Sequence, residues 1–247
     1  MQRLLCVTAH PDDEAGGFGG SLLRYSQAGV ETHVICLTAG EAATHRGAAK
    51  TSSELSEMRR REFAESCKIL NVTHGEVLGY PDSALDRVPL ADIVGKLVRH
   101  IREICPQIVL TFGPEGAVTA HLDHGMTSVF ATLAFHWAAR SDRFSEQLQQ
   151  GLKPHRAQKL YYGTALFTMP QRQPVALPAV TAVIDVREYY ETKIAAFRAH
   201  ATQSPLFGIF EGMVRKRGRE EMFHLAAAQQ PQRLQQETDL FAGVVAE

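Results

Sequence analysis

Along the first half of the chain, apolar runs of strand length alternate with amphipathic segments of helix length, the order of an α/β protein. Residues 4–8, 33–38, 76–78 and 108–112 are short and apolar, as strands buried on both faces of a parallel sheet must be. Between them the period lengthens. Leu90, Ile93, Val94, Leu97, Val98, Ile101 and Ile104 fall on one face of a helix over 90–104, which Pro106 closes. Leu55, Met58, Phe63, Cys67 and Leu70 form the inward face of a helix over 53–70, and another helix covers 14–27 with Gly29 as its C-cap. A fourth passes through Met126, Val129, Phe130, Leu133 and Trp137. The later part is less regular. It predicts strands over 160–164 and 180–186, separated by Met169-Pro170 and a Pro174/Pro178 loop, then a helix over 189–201. Residues 229–236 are glutamine-rich and too polar to build a core, which predicts a surface tail or a partner-docking segment. The pattern as a whole predicts a three-layer α/β fold, a mostly parallel sheet with helices on both faces.

Composition narrows the partners. A 45% hydrophobic content over 247 residues is enough for one large domain, taken here as 1–247. Lys and Arg total 26 against 27 for Asp and Glu, so a net charge of -1 gives no global field to recruit nucleic acid or an anionic membrane. The expected partner is a small molecule, with a homo-oligomer left open. Cys6, Cys36, Cys67 and Cys105 are far apart, form no Cys-x-x-Cys pair and fall in apolar segments, as reduced core residues do. No apolar stretch approaches the roughly 18 residues of a membrane span, and no leader is recognisable, so the expected location is the cytoplasm.

Chemistry concentrates in two places. Ala9-His10-Pro11-Asp12-Asp13-Glu14 follows directly on the first apolar run, placing a histidine and three mutually repelling carboxylates at the end of a buried strand. In open α/β sheets that is where ligands bind. The second cluster, His121-Leu122-Asp123-His124, lies downstream of the fourth strand. Two imidazoles and a carboxylate from separate segments would leave room for water on a divalent ion, as a hydrolytic zinc site requires. Adjacent carboxylates point in different directions, so one of Asp12 and Asp13 should bind the ion while the other faces its water. The residues alone leave open which does which.

Other motifs read differently. Gly16-Gly17-Phe18-Gly19-Gly20 invites a dinucleotide-binding reading, but from Gly17 the third glycine position is Leu22, and three acids precede it. Close packing of the first helix explains these glycines better. His121-Leu122-Asp123 is also a His-x-Asp that a distal histidine could complete into a non-haem iron triad, though the alternation of helix and strand argues against the all-β barrels that commonly hold one. A non-enzymatic binding descendant is a further alternative, against which all the expected polar positions are filled. Arg215-Lys216-Arg217-Gly218-Arg219 reads as a solvated basic face, and His33, His74, His100, His136, His155 and His224 as structural or surface residues.

The first motif, Arg59-Arg60-Arg61-Glu62 on the second helix, Gly79-Tyr80-Pro81-Asp82, and Thr111-Phe112-Gly113-Pro114 ahead of a His-x-Asp-His together resemble the LmbE-like (PIG-L) family of zinc-dependent N-deacetylases. The resemblance spans most of the chain and implies a Rossmann-like sheet. It further implies that His10, Asp13 and His124 bind one Zn2+, with Fe2+ as another divalent ion such a site accepts. Asp12 is then the general base, and His121 polarises the carbonyl or protonates the leaving amine. Arg59 and Asp82 would hold the substrate. The reaction implied is removal of an N-acetyl group from an N-acetylglucosamine-type conjugate by a water on the metal. A metalloamidase acting on another acyl amide or a thiol conjugate is the alternative. Leu122 stands where the family has proline, which removes rigidity from that loop.

Overall fold

The computed structural model describes residues 1–169, 175–230 and 235–245. The first half runs β1 (Arg3–Thr8), α1 (Asp13–Gln27), β2 (Glu31–Thr38), α2 (Ser52–Ile69), β3 (His74–Tyr80), α3 (Leu90–Ile104), β4 (Ile108–Phe112) and α4 (Leu122–Ala138). Then follow α5 (Ser145–Gln149), β5 (Lys159–Thr164), β6 (Ala182–Asp185), α6 (Tyr190–Arg198), α7 (Phe207–Arg217) and β7 (Glu220–Ala228). One seven-stranded sheet has the order β3-β2-β1-β4-β5-β7-β6. The first five strands are parallel, and β7 runs antiparallel to β5 and β6. The strand order reverses between β1 and β4, so the loops leaving these strands diverge and open a crevice at their carboxyl ends. Both predicted motifs lie in those loops and the first turns of the helices that follow them, α1 and α4.

Burial on two faces explains the apolar runs. Leu4 and Cys6 pack with Phe18 and Leu22 of α1, Phe63 of α2 and Phe197 of α6, while Leu5 and Val7 face Ile93, Leu97 and Ile101 of α3 and Phe130 of α4. This is the expected three-layer arrangement. Local signals set the helix ends. Thr51 and Glu54 close a reciprocal capping box at the start of α2, Cys105 ends α3 in a left-handed conformation just before Pro106, and Gly29 takes φ 85° after α1.

The glycines of α1 allow close packing, chiefly against elements from the far end of the chain. A Cβ at Gly20 would stand 2.7 Å from Val186, and one at Gly19 would stand 3.3 Å from Leu70 and Lys193. Glu221 of β7 accepts the Gly20 and Ser21 N–H groups at 2.9 and 2.8 Å, and the Lys193 ammonium stands 2.6 Å away to balance its buried charge. The structure departs from expectation mainly at α7 and β7, neither of which the pattern predicts. The helix expected over 189–201 ends at Arg198 and continues as a 3-10 segment, Ala201–Leu206. The glutamine-rich segment and the Pro170 to Pro178 loop lie partly outside the described residues. Among the described residues no helix is long and apolar enough to cross a membrane, and all four cysteines are free thiols, three of them buried.

Candidate active site

The chain leaves β1 and turns at Asp12, which adopts φ 115°, a left-handed conformation that costs an aspartate about 1–3 kcal/mol. Its surroundings hold it there. Its N–H donates to Glu14 Oε2 at 3.0 Å, and its Oδ2 accepts from Arg59 Nη2 at 2.9 Å. Arg59 also donates to the Pro11 carbonyl and, at 3.1 Å, to that of Gly40. Glu14 is itself fully buried, with Ser66 Oγ at 2.5 Å and His200 Nε2 at 2.7 Å from its Oε1. Burial raises the Asp12 carboxyl to about 6, with Arg59 opposing and Asp13 adding to the rise.

Asp13, the first residue of α1, accepts the Ala9 and His10 N–H groups at 3.2 and 2.8 Å, which aims its carboxylate back across the turn. Its two oxygens lie 3.4 Å from His10 Nδ1 and 3.1 Å from His124 Nε2, so residues from the β1 and β4 loops meet at one carboxylate. The other nitrogen of His10, Nε2, stands 3.1 Å from Asp82 Oδ1 and 3.3 Å from Asp123 Oδ2. Burial opposes charge on His10, but its hydrogen bonds to Asp123, Asp13 and Asp82 outweigh burial and hold the ring's pKa well above the usual histidine range. Carboxylates placed in this way are those that orient metal-binding histidines. Asp123 is fixed in turn by the Ser83 N–H at 2.7 Å. The His124 ring stacks on Phe112 at 4.0 Å between centroids and 6° between planes.

His121 caps α4, its Nδ1 accepting the Asp123 N–H at 3.2 Å, so the neutral ring carries its proton on Nε2. Its centroid lies 4.8 Å from that of His10 and 5.1 Å from that of His124. Burial, then the neighbouring His10 and His124, lower its pKa and favour that neutral form.

The donor set fits a divalent cation. Three imidazoles, His10, His121 and His124, offer ligand atoms within 4.8 Å of one another, and so do His10, Asp82 and Asp123. Nitrogen and carboxylate oxygen together are the ligands zinc and ferrous iron take in hydrolytic sites.

All seven residues singled out from the sequence gather at this end of the sheet, but two have other neighbours than expected. Arg59 is 3% exposed, with its guanidinium turned to Asp12 and two carbonyls. The Asp82 side chain is 4% exposed and bonds His10 and the Ala42 N–H. Both contact the first motif, Arg59 through Asp12 and Asp82 through His10. Asp123, Glu14 and His200 were not assigned. Asp123 stood inside a quoted motif and Glu14 beside one, whereas His200, which contacts Glu14 across 186 residues, carried no signal at all.

A cavity of about 620 Å³ opens beside the centre. Gly17, Phe112 and Val118 wall it on the centre's side, Leu166, Phe167 and Met213 on the other, with Lys216, Arg217 and Arg219 also lining it. Arg215, Lys216, Arg217 and Arg219 all stay exposed, the solvated basic face that was expected, and Arg217 lies 4.2 Å over the Phe167 ring at the edge of this cavity.

Among known proteins, the PIG-L family model, described as GlcNAc-PI de-N-acetylase, matches residues 5–135. A 1D-myo-inositol 2-acetamido-2-deoxy-alpha-D-glucopyranoside deacetylase from a Nocardioides species is 31% identical, covering 98% of this chain and 99% of the relative. The mycothiol S-conjugate amidase of Streptomyces coelicolor is 29% identical over 81% of this chain and 82% of its own. In fold alone, the 4-carboxy-2-hydroxymuconate hydratase of Pseudomonas putida KT2440 is similar, with a TM-score of 0.72, 21% identity and coverage of 95% and 100%. A shared fold therefore leaves the chemistry to be argued from the site. The family match over more than half the chain, together with the deacetylase relative aligned nearly end to end, establishes that this chain belongs to the PIG-L family.

Proposed function

We propose that this protein, acting as one domain, is a zinc-dependent hydrolase that removes the N-acetyl group from a 2-acetamido sugar conjugate. The observation that carries this reading is the meeting of His10 Nδ1 and His124 Nε2 at Asp13 while Asp12 is held alongside, outside that convergence, by Arg59. His10, Asp13 and His124 would hold the ion, which when bound supplies an acidified water and a Lewis acid for the amide carbonyl. Asp12 takes the proton as the water oxygen adds to the amide carbon. Arg59 and Glu14 fix Asp12 from the side chain and the backbone. His121 presents Nε2–H to the carbonyl oxygen as negative charge develops there, and the proton held by Asp12 passes to the nitrogen as the C–N bond breaks, giving acetate and a free amine.

The test is amine release from N-acetylglucosamine and its conjugates, before and after chelation and Zn2+ restoration. Turnover that is lost on chelation and recovered with zinc supports the reading. No turnover of any 2-acetamido sugar by the zinc-loaded enzyme overturns it. A second reading, hydrolysis of a larger acyl amide or a thiol conjugate, is favoured by the apolar walls of the adjacent cavity and by the similarity to an amidase. Turnover of acyl amides lacking any sugar would decide for it.

A further inference from the structure

The opposite end of the sheet holds a second cavity, of about 360 Å³, lined by His33, His74, His100, Glu76, Arg3 and Glu31 among others. It lies at the amino ends of β1, β2 and β3, away from both motifs. His33 of β2 and His74 of β3 are paired in register on neighbouring strands, and Glu76, two residues on, shares the face of His74. His100 approaches from α3, which covers that face. Glu76 Oε2 stands 3.6 Å from His74 Nε2 and 4.0 Å from His100 Nε2. Ligands held about 2.0–2.2 Å from one tetrahedral ion are roughly 3.3–3.6 Å apart, a spacing that Glu76 already keeps from His74. The two imidazoles stand farther from each other, so the exposed His74 and Glu76 side chains would turn toward His100 for all three to share one ion.

The surroundings favour a cation. Both ring nitrogens of His33 are shut off from solvent and have no hydrogen-bond partner, an unfavourable state for a buried imidazole. The nearby cations are taken: Arg3 pairs with Glu31 at 2.8 Å and Arg99 with Glu103 at 3.6 Å. Glu76 is left facing imidazoles alone among the described ion pairs. The side chains of His74 and Glu76 are 56% and 43% exposed, free to close on an ion and open to its entry.

We infer that His74, His100 and Glu76, with His33 beside them, form a second site for a divalent transition-metal ion of the zinc type, one that ties the edge strand β3 to β2 and α3. Its role is structural, and it does not depend on what the carboxyl-end centre catalyses. Zn2+ titration calorimetry of chelator-stripped protein tests it. The intact chain is expected to bind two equivalents, and a His74→Ala, Glu76→Gln variant one. In a His124→Ala background the remaining equivalent is expected to raise Tm, and the rise should vanish when His74 and Glu76 are also replaced. His74 and Glu76 are half-exposed, so the variant folds. Equal stoichiometry in the intact chain and in His74→Ala, Glu76→Gln overturns the site. So does a single equivalent that disappears with His124→Ala.

Discussion

At the carboxyl end of the sheet, His10 is 8% exposed and each ring nitrogen faces a carboxylate that is itself held by backbone N–H groups. At the amino end, the His74 side chain is 56% exposed and its ionic neighbour among the described residues, Glu76, is 43% exposed. Both ends bring three imidazoles near carboxylates. They differ in the layer behind the ligands: Asp82, Asp123, Glu14 and Arg59 at one end, and solvent at the other. That layer fixes donor atoms before an ion or substrate arrives, and such preorganisation is the larger part of what a catalytic site needs beyond a binding site.

The comparison can be broken most sharply at His124. His124→Ala is expected to release the carboxyl-end ion and abolish amine release while leaving the amino-end equivalent bound, read by metal analysis after desalting. Asp12→Asn should keep both ions and lose roughly 10²–10⁴-fold in kcat, the usual contribution of a general base. Metal loss in Asp12→Asn equal to that in His124→Ala would show that the two aspartates are not divided as assigned.

His200→Ala probes the supporting layer itself. It leaves Glu14 buried without its cationic neighbour, a change that typically costs about 3–5 kcal/mol, or a fall in Tm of roughly 6–20 °C for a chain of this size. If His200 acts through Asp12, kcat falls more than KM rises while bound metal stays constant. An equal change in a variant that merely lowers Tm would remove that interpretation. The smallest effect belongs to the other end. Without metal, Glu76→Gln is expected to shift stability by no more than about 0.5 kcal/mol, as surface substitutions do, and to leave the rate of amine release unchanged.

The strands that sequence reveals are those that burial dictates residue by residue. β1 from Leu4 to Val7 and β4 from Ile108 to Leu110 are unbroken apolar runs because both faces are covered, and they read correctly. β7 does not, because Glu220-Glu221-Met222-Phe223-His224-Leu225 followed by three alanines favours a helix by local propensity. Only pairing with β5 and β6 makes it a strand. The site divides in the same way. His10, Asp13, His121 and His124 were legible because each cluster is local and sits at a strand end. The partners of Arg59 and Asp82 were not, since nothing in a helix face or a turn says that Asp12 lies 2.9 Å away across 47 residues.

His200 also carries a consequence in time. Synthesis proceeds from the amino terminus at about 5–20 residues per second, so His200 emerges on the order of 4–15 s after His124. During that interval every residue quoted in the two motifs is present, and α1 can form with Glu14 bonded to Ser66 and to the Asp12 N–H. What is absent is the imidazole that balances the charge of Glu14, along with α6 and β7, against which the glycines of α1 close. The nascent centre therefore holds its candidate ligands before it holds its geometry, and the later segment that carries His200, α6 and β7 determines when it is finished.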